Sequence, residues 1–233
     1  MVYHVKSSDL EGTRVRIEEL QSIVNRRPFA RNRISKRVFD IVCATALLIF
    51  FVPFMVLIAT TIWVSDRKKV IFAHTRVGRN GQPFNCLKFR TMCIDADVRL
   101  AQMLQNDPVA RAEWELTQKL THDPRLTATG QILRKTSLDE LPQLWNVLRG
   151  DMSMVGPRPI VAAEAKHYRA SFAEYKSVRP GLTGAWQISG RSDTTYEERV
   201  ALDVDYVQNN SFFGDLKIVL KTVSVVLGGQ GAR

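Results

Sequence analysis

The sequence predicts an α+β fold that is mostly helical, with an N-terminal membrane helix-break-helix ahead of a small domain that carries a β-hairpin. Three observations predict it: an uncharged apolar stretch at residues 41–64, an Asn-Gly pair between two β-prone runs, and apolar residues at helical spacing through much of the remaining chain. The chain therefore divides into a basic tail (residues 1–37), a membrane segment (38–65) and a globular domain (66–233).

The composition excludes several classes of protein. With 45% hydrophobic and 24% charged residues, the 233-residue chain can form a core and is not a disordered or collagenous protein. Its 3 cysteines form no CxxC pair and are too few for a disulfide scaffold, which indicates a reducing compartment. The net charge of +10 predicts an anionic partner. Because no zinc-finger, RNP-like or basic-zipper pattern occurs, we expect a membrane surface and no nucleic acid.

The apolar stretch is long enough to cross a bilayer, since 41–64 would form a helix of about 36 Å at roughly 1.5 Å per residue. Basic residues flank both of its ends, which is typical of two cytoplasmic ends. Pro53 lies in its middle and should kink or break the helix. These residues alone leave three structures open: a transmembrane helix that tolerates the proline, a re-entrant hairpin that turns at Pro53, and a buried helix of a soluble protein.

The elements of the globular domain follow from local signals. Asn80-Gly81 between residues 70–78 and 83–92 predicts a β-hairpin. Asp107-Pro108 should divide the helical stretch 93–120 into two helices, because proline disfavours a helical residue before it. Residues 154–159 should form an irregular segment stiffened by two prolines. Further helices are predicted near residues 162–172, 196–209 and 216–227.

Ser137-Leu138-Asp139-Glu140 precedes an amphipathic run and has two interpretations. Ser137 and Glu140 match the capping box that begins many helices, and Asp139 would complement the positive end of such a helix. Alternatively, the adjacent carboxylates form a reactive pair, in which one attacks a phosphorus atom and the other holds Mg²⁺ on phosphate oxygens. The two interpretations do not exclude each other.

Several basic residues are candidates for binding phosphate, because guanidinium forks match phosphate oxygens. The arginines in or near Gly- and Pro-rich segments are Arg134, Arg158, Arg179 and Arg191. Lys88 and Arg90 lie on the predicted second strand, where simple strand alternation would also explain them. A solvated surface charge is the simpler interpretation of any one of these residues. Together with a membrane anchor, the set suggests a diphosphate substrate.

Four segments carry a resemblance to a known family: KRVFD at Lys36, KFRTM at Lys88, TSLDELPQLWNVLRGDMSMVGPRP at Thr136 and RPGLTGAWQISGR at Arg179. From about Lys36 onward the chain resembles the bacterial sugar transferases, which are monotopic polyprenyl-phosphate phosphoglycosyl transferases. It is similar to the short, exopolysaccharide-initiating form of that family, which is like an undecaprenyl-phosphate galactose phosphotransferase. The resemblance implies transfer of a sugar 1-phosphate from a UDP-sugar, UDP-galactose or UDP-glucose, to undecaprenyl phosphate, with release of UMP.

The resemblance also implies roles for particular residues. Asp139 would be the nucleophile that forms a phosphosugar-aspartyl intermediate, and Glu140 would bind Mg²⁺. Arg134, Arg158 and Arg191 would bind phosphate or nucleotide. With Lys88, Arg90 and Arg179, which are candidates from the residue pattern, they make up the expected substrate-binding set. The membrane helix would be re-entrant and turn at Pro53, although this chain has Val52 where several members have serine.

Location and partners follow from the same resemblance. The chain would lie in the bacterial inner membrane with residues 66–233 as a catalytic domain on the cytoplasmic face. Its partners would be the UDP-sugar, undecaprenyl phosphate, membrane lipid and downstream glycosyltransferases, with a homodimer left open. The alternative function is a non-catalytic membrane adaptor of a polysaccharide assembly complex. The sequence does not name the sugar.

Overall fold

A computed structural model describes residues 33–117, 120–189 and 195–227. Its longest element is helix α1 (Arg33–Asp66), which contains the whole apolar stretch. Pro53 lies inside this helix, which continues on both sides of the proline. The predicted break into two helices is therefore not present. The physical reason is that a proline removes one backbone hydrogen bond, and a helix can bend there and continue. The re-entrant course of α1 stays a prediction.

Helix α1 has two different faces. On one face, Asp40, Ala44 and Ile62 are buried against the rest of the chain. The other face exposes large apolar side chains, including Phe50 and Leu57, each 65% exposed. Within the described ranges, this is the one helix long and apolar enough to cross a membrane. An apolar face of this kind suits contact with lipid.

The predicted hairpin is confirmed. Strands β1 (Ile71–Val77) and β2 (Pro83–Phe89) pair antiparallel, with Ile71 opposite Phe89. A short 3-10 turn joins them, in which Asn80 and Gly81 both have positive φ, 59° and 76°. This left-handed geometry is the reason that Asn-Gly is a hairpin signal. Since alternate residues share a face, the side of the hairpin that carries Lys88 also carries residues 72, 74, 76 and 86.

A second, parallel pair of strands joins the two glycine- and proline-rich segments. Strand β3 (Ser153–Val155) pairs with β4 (Gly181–Thr183). A Cβ atom on Gly181 would collide with the amide nitrogen of Gly156, and one on Gly184 would collide with the Gly156 carbonyl oxygen. The glycines therefore let two backbones pack against each other. The sequence did not predict this strand pair.

Nine further helices surround the sheets in the part of the chain that the structure describes. They are α2 (Ala96–Asn106), α3 (Pro108–Thr117), α4 (Ala128–Thr136), α5 (Gln143–Arg149), α6 (Ala165–Tyr168), α7 (Phe172–Ser177), α8 (Ala185–Ile188), α9 (Tyr196–Asn209) and α10 (Phe212–Leu227). The division at Asp107-Pro108 is confirmed, and the Asp107 carboxylate accepts hydrogen bonds from the Val109 and Ala110 amides at the start of α3. The main core places Leu144 and Val147 of α5 against Met152, Val155 and the buried face of α1.

Candidate active site

A cavity of about 690 Å³ opens beside the hairpin. It is lined by the hairpin face that carries Lys88, by the turn after α4, by residues 158–159 and by parts of β4, α8 and α9. The basic residues that line it are Arg76, Lys88, Arg90, Arg134, Arg158 and Arg199, and the acidic residues are Asp97, Asp139 and Glu140. Basic groups therefore exceed acidic groups around this cavity, which suits a ligand with several negative charges.

The two carboxylates of the predicted pair lie on a 3-10 turn, Leu138–Glu140, between α4 and α5. Ser137, which precedes the turn, has a φ of 58° and ends α4 in the left-handed conformation, and its side chain caps nothing. The predicted capping box is therefore wrong. These residues instead form a tight turn between α4 and α5, and the Glu140 carboxylate is paired with Lys88 of strand β2.

Lys88 of β2 holds the pair in place, and we call Lys88, Asp139 and Glu140 the dyad end of the cavity. Its Nζ atom lies 2.7 Å from Glu140 Oε1 and 3.6 Å from Asp139 Oδ2. The strand that carries Lys88 is itself fixed by buried Asn146 of α5, whose side chain accepts from the Leu87 amide at 3.0 Å and donates to the Asn85 carbonyl at 2.9 Å. The lysine is thus held by the packing of β2 on α5.

The electrostatics of the dyad end follow from burial. Asp139 is only 7% exposed, and burial raises its pKa above the ordinary aspartate value, while Lys88 and Arg134 oppose the rise. Burial alone would lower the pKa of Lys88, but the Glu140 and Asp139 carboxylates outweigh it and raise that pKa. Asp139 is therefore a poorly solvated carboxylate paired with a cation, an arrangement suited to a nucleophile.

Arg134 extends the dyad end toward residues 90–94. It lies in the last turn of α4, and its Nε atom donates to the Thr91 hydroxyl at 3.1 Å. Burial lowers the pKa of Arg134, and the nearby Asp139 carboxylate opposes that change. The predicted grouping of Arg134 with Asp139 is thus present in the structure.

A second group of residues that line the cavity, which we call the arginine end, consists of Arg76, Arg158, Trp186 and Arg199. The guanidinium carbons of Arg158 and Arg199 lie 5.0 and 5.4 Å from the centre of the Trp186 ring. Arg76 donates to the Pro159 carbonyl at 3.3 Å and lies 3.6 Å from Glu164. Of these four, only Arg158 was predicted. Strand alternation with Lys88 could have found Arg76, whereas nothing local marks Arg199.

Two predicted residues, Arg90 and Arg179, do not join the site in the expected way. Arg90 lines the cavity, but its guanidinium donates to both oxygens of Asp66 at 2.6 Å. Arg179 lies outside the cavity lining and donates to the Gly150 carbonyl at 2.7 Å, at the end of α5. Arg191 lies outside the described residues. Both Arg90 and Arg179 therefore have partners within the protein.

A resident metal cage is absent from the described ranges, where no three His, Cys, Asp or Glu side chains are arranged to hold an ion. Asp139 and Glu140 are adjacent carboxylates beside a basic cavity. Mg²⁺ commonly binds through one or two carboxylates together with substrate phosphates. The donor set therefore fits an ion that arrives with a phosphate ligand, and does not fit a site built from protein ligands alone.

Comparison with known proteins gives concordant matches. The family model of the bacterial sugar transferases matches residues 31–229. Exopolysaccharide production protein ExoY of Rhizobium meliloti is 50% identical over 198 residues, which cover 85% of this chain and 88% of that protein. UDP-galactose-lipid carrier transferase of Erwinia amylovora is 48% identical over 201 residues, covering 86% of this chain and 42% of that protein.

A further relative is undecaprenyl-phosphate galactose phosphotransferase of Salmonella typhimurium, which is 45% identical over 231 residues. The match covers 99% of this chain and 48% of that protein. The chain thus spans less than half the length of this relative and of the Erwinia amylovora protein, but most of the length of ExoY.

Proposed function

This chain belongs to the bacterial sugar transferase family, and we propose that it transfers a sugar 1-phosphate from UDP-galactose or UDP-glucose to undecaprenyl phosphate, with release of UMP. Relatives whose names contain UDP-galactose, UDP-glucose and undecaprenyl phosphate support this choice of donor and acceptor. The observation that carries the proposal is the buried Asp139 carboxylate, paired with Lys88 at one end of a basic cavity.

In the first step, an Asp139 carboxylate oxygen attacks the phosphorus atom that carries the sugar. The bond from that phosphorus to the bridging oxygen of the diphosphate breaks, and UMP leaves with the electron pair. A phosphosugar-aspartyl bond now links the substrate to the protein. The poor solvation of Asp139 favours this attack, because a weakly hydrated carboxylate is a better nucleophile. Lys88 keeps the carboxylate ionised and in place.

Glu140 would hold the metal for this step. It is the more exposed member of the pair, and its carboxylate points to Lys88 at 2.7 Å. A bound Mg²⁺ would neutralise part of the charge on the diphosphate. Asp139 would then remain available to react while its neighbour orients the phosphate. Arg134, which lies beside Asp139, would bind a phosphate oxygen.

In the second step, an oxygen of the lipid phosphate attacks the same phosphorus atom. The bond to Asp139 breaks, the carboxylate is regenerated, and undecaprenyl diphosphate sugar is released. Because the attacking and leaving oxygens lie in line, the lipid phosphate would take the position opposite Asp139 that UMP has left. Arg90, which lines the cavity, is joined to Asp66, the last residue of α1. The lipid would therefore reach the cavity from the membrane helix past Arg90.

The location of the protein follows from α1 in this proposal. Its exposed apolar face would lie in the inner membrane, with both ends and the catalytic domain on the cytoplasmic side. A lipid-linked sugar made there would serve downstream glycosyltransferases as the first lipid intermediate of exopolysaccharide synthesis.

The direct test is UMP release by the detergent-solubilised protein with undecaprenyl phosphate, Mg²⁺ and a panel of UDP-sugars. We expect release that depends on the lipid at catalytic turnover and that identifies the sugar. The Asp139→Asn variant should release none. Equal release by wild type and Asp139→Asn would contradict the assigned nucleophile, and no release from any UDP-sugar would contradict the donor class.

A further inference from the structure

One buried hydroxyl joins the two backbone segments that carry Arg76 and Arg158. Val77, which follows Arg76 at the end of β1, donates its amide to the Ile160 carbonyl at 2.9 Å. The Ile160 amide donates to the Tyr175 hydroxyl at 3.2 Å, and that hydroxyl donates to the Val77 carbonyl at 3.0 Å. Two residues of an antiparallel strand pair would exchange both hydrogen bonds directly. Here the second bond runs through Tyr175, whose oxygen atom therefore separates the two segments on that side.

Tyr175 is held firmly in this position. It lies on α7 and is only 3% exposed, and its ring centre lies 4.9 Å from that of Tyr168. The Tyr168 hydroxyl in turn donates to the buried Asp203 carboxylate of α9 at 2.6 Å. Burial also raises the pKa of Tyr175, so its hydroxyl keeps the proton that it donates to Val77. The bridge is therefore a fixed part of the fold.

Arg76 and Arg158 need a fixed separation because their charges repel. Both line the cavity, and Arg76 also donates to the Pro159 carbonyl at 3.3 Å. Burial lowers the pKa of Arg76, the nearby charge of Arg158 lowers it further, and Glu164, 3.6 Å away, opposes the change. Guanidinium groups bind phosphate oxygens through hydrogen bonds of defined direction, so their spacing decides how many of these bonds one phosphate accepts. Tyr175 itself lies outside the cavity lining and acts only through the backbone.

We propose that Tyr175 is a positioning residue, whose hydroxyl sets the spacing of Arg76 and Arg158 for the phosphate of UMP. The inference rests on the proposed function, in which UMP is the leaving half of the donor. Without the hydroxyl, the Ile160 amide and the Val77 carbonyl are left unpaired unless the two segments move together into a direct bond. That movement changes the spacing of the two arginines and weakens the binding of the phosphate.

The test is UMP binding, measured by titration calorimetry on the full-length solubilised protein. Tyr175→Phe removes the hydroxyl and keeps the ring, and it should raise the Kd for UMP roughly 5- to 20-fold. Tyr206→Phe is the matched control, because Tyr206 is also buried and lies outside the cavity lining. Its hydroxyl lies 2.8 Å from Asp215 and 3.0 Å from the Val155 carbonyl. Both variants should lose stability, but the Kd of Tyr206→Phe should stay within about twofold of wild type.

A double-mutant cycle separates positioning from a general loss of structure. If Tyr175 acts through the arginines, Tyr175→Phe in an Arg158→Gln background should raise the Kd for UMP by less than about twofold, because one of the two spaced groups is already absent. A tyrosine that only stabilises the fold would weaken binding by the same factor with and without Arg158. An unchanged Kd in Tyr175→Phe, or an equal rise in the two backgrounds, would overturn the proposal.

Rescue by a similar side chain completes the test. Replacing Tyr175 with para-aminophenylalanine, whose amino group can make both hydrogen bonds, should return the Kd for UMP to within about threefold of wild type. A Kd as weak as that of Tyr175→Phe would count against the bridge. If Tyr175→Phe does not fold, Tyr175→His, whose ring is too short to reach both groups, takes its place in the comparison. A wild type that binds UMP but releases none from any UDP-sugar would refute the proposed function, while the Kd values would still decide the role of Tyr175.

Discussion

The two ends of the cavity handle charge in opposite ways. At the dyad end, Lys88 lies within 3.6 Å of both carboxylates, so one positive charge is paired with two negative charges. At the arginine end, Arg158 and Arg199 rest on the uncharged ring of Trp186. The two ends therefore differ in composition. One end pairs a buried carboxylate nucleophile with a lysine, and the other groups three arginines, of which Arg76 also lies 3.6 Å from Glu164, where an anionic ligand could bind.

Asp139→Asn should abolish the chemistry at the dyad end and leave ligand binding at the arginine end unchanged. Turnover should fall by about 10⁴-fold or more, because the amide cannot form the covalent bond. The Kd for UMP should not change, since the arginine end is intact. Because burial raises the pKa of Asp139, its ionised form lowers the free energy of unfolding at a pH above that pKa. The neutral asparagine removes this cost, and the variant should melt at the same or a higher temperature. Turnover, UMP binding and thermal unfolding together check this, and weaker UMP binding would contradict the separation.

Replacing Lys88 should damage the dyad end through its electrostatics. Asp139 reacts only when ionised, so activity falls as the pH drops through its raised pKa. Lys88 lowers that pKa, and its removal should therefore move the acid limb of the pH–rate profile to higher pH. We expect Lys88→Met to lose roughly 10²- to 10³-fold in activity at neutral pH. Lys88→Arg, which keeps the charge, should retain the position of the limb. An unmoved limb in Lys88→Met would show that the lysine does not set the ionisation of Asp139.

Glu140→Gln tests the metal assignment at the same end. The variant should need at least about tenfold more Mg²⁺ for half-maximal UMP release, because an amide oxygen is a weaker ligand than a carboxylate. Chelation of Mg²⁺ should abolish release by the wild type, and added Mg²⁺ should restore it. A magnesium titration of wild type and variant makes the comparison. Identical curves would assign the metal to other groups.

Two single substitutions of arginines, compared with each other, should have the smallest effects on activity. Arg158→Gln should raise the KM for the UDP-sugar about tenfold or more, since a charged hydrogen bond to phosphate is lost. Arg179→Gln should leave that KM unchanged, because Arg179 is bound to the Gly150 carbonyl outside the cavity. It should instead lower the free energy of unfolding by roughly 1 to 3 kcal/mol. Kinetics and chemical unfolding of both variants test the contrast, and a raised KM in Arg179→Gln would restore it as a substrate-binding residue.

Features encoded by neighbouring residues could be predicted from the sequence. The hairpin at Asn80-Gly81 and the helix boundary at Asp107-Pro108 both depend on local backbone preferences, and the structure has both. The placement of Asp139 and Glu140 together depends only on their being adjacent. Family resemblance then supplied their expected roles.

Features that depend on distant contacts could not be predicted. Arg90 and Arg179 look like substrate-binding arginines in the sequence, yet their partners, Asp66 and the Gly150 carbonyl, become neighbours only in the folded chain. Ser137 matches a helix cap in the sequence but adopts the left-handed conformation that ends α4. Serine is common both at helix N-caps and in turns, so the residue type alone does not separate the two structures. Arg199 reaches the cavity only because α9 packs beside α8.

The proposed mechanism requires that Asp139 becomes covalently attached to the sugar phosphate. The most direct measurement is the mass of the full-length protein after incubation with a UDP-sugar and Mg²⁺ but without lipid, followed by peptide mapping. We expect an added sugar phosphate on the peptide that contains Asp139, its absence in Asp139→Asn, and its loss when undecaprenyl phosphate is added. Lipid-dependent turnover by wild type without any such adduct, or with an adduct on a different residue, would rule out Asp139 as the nucleophile.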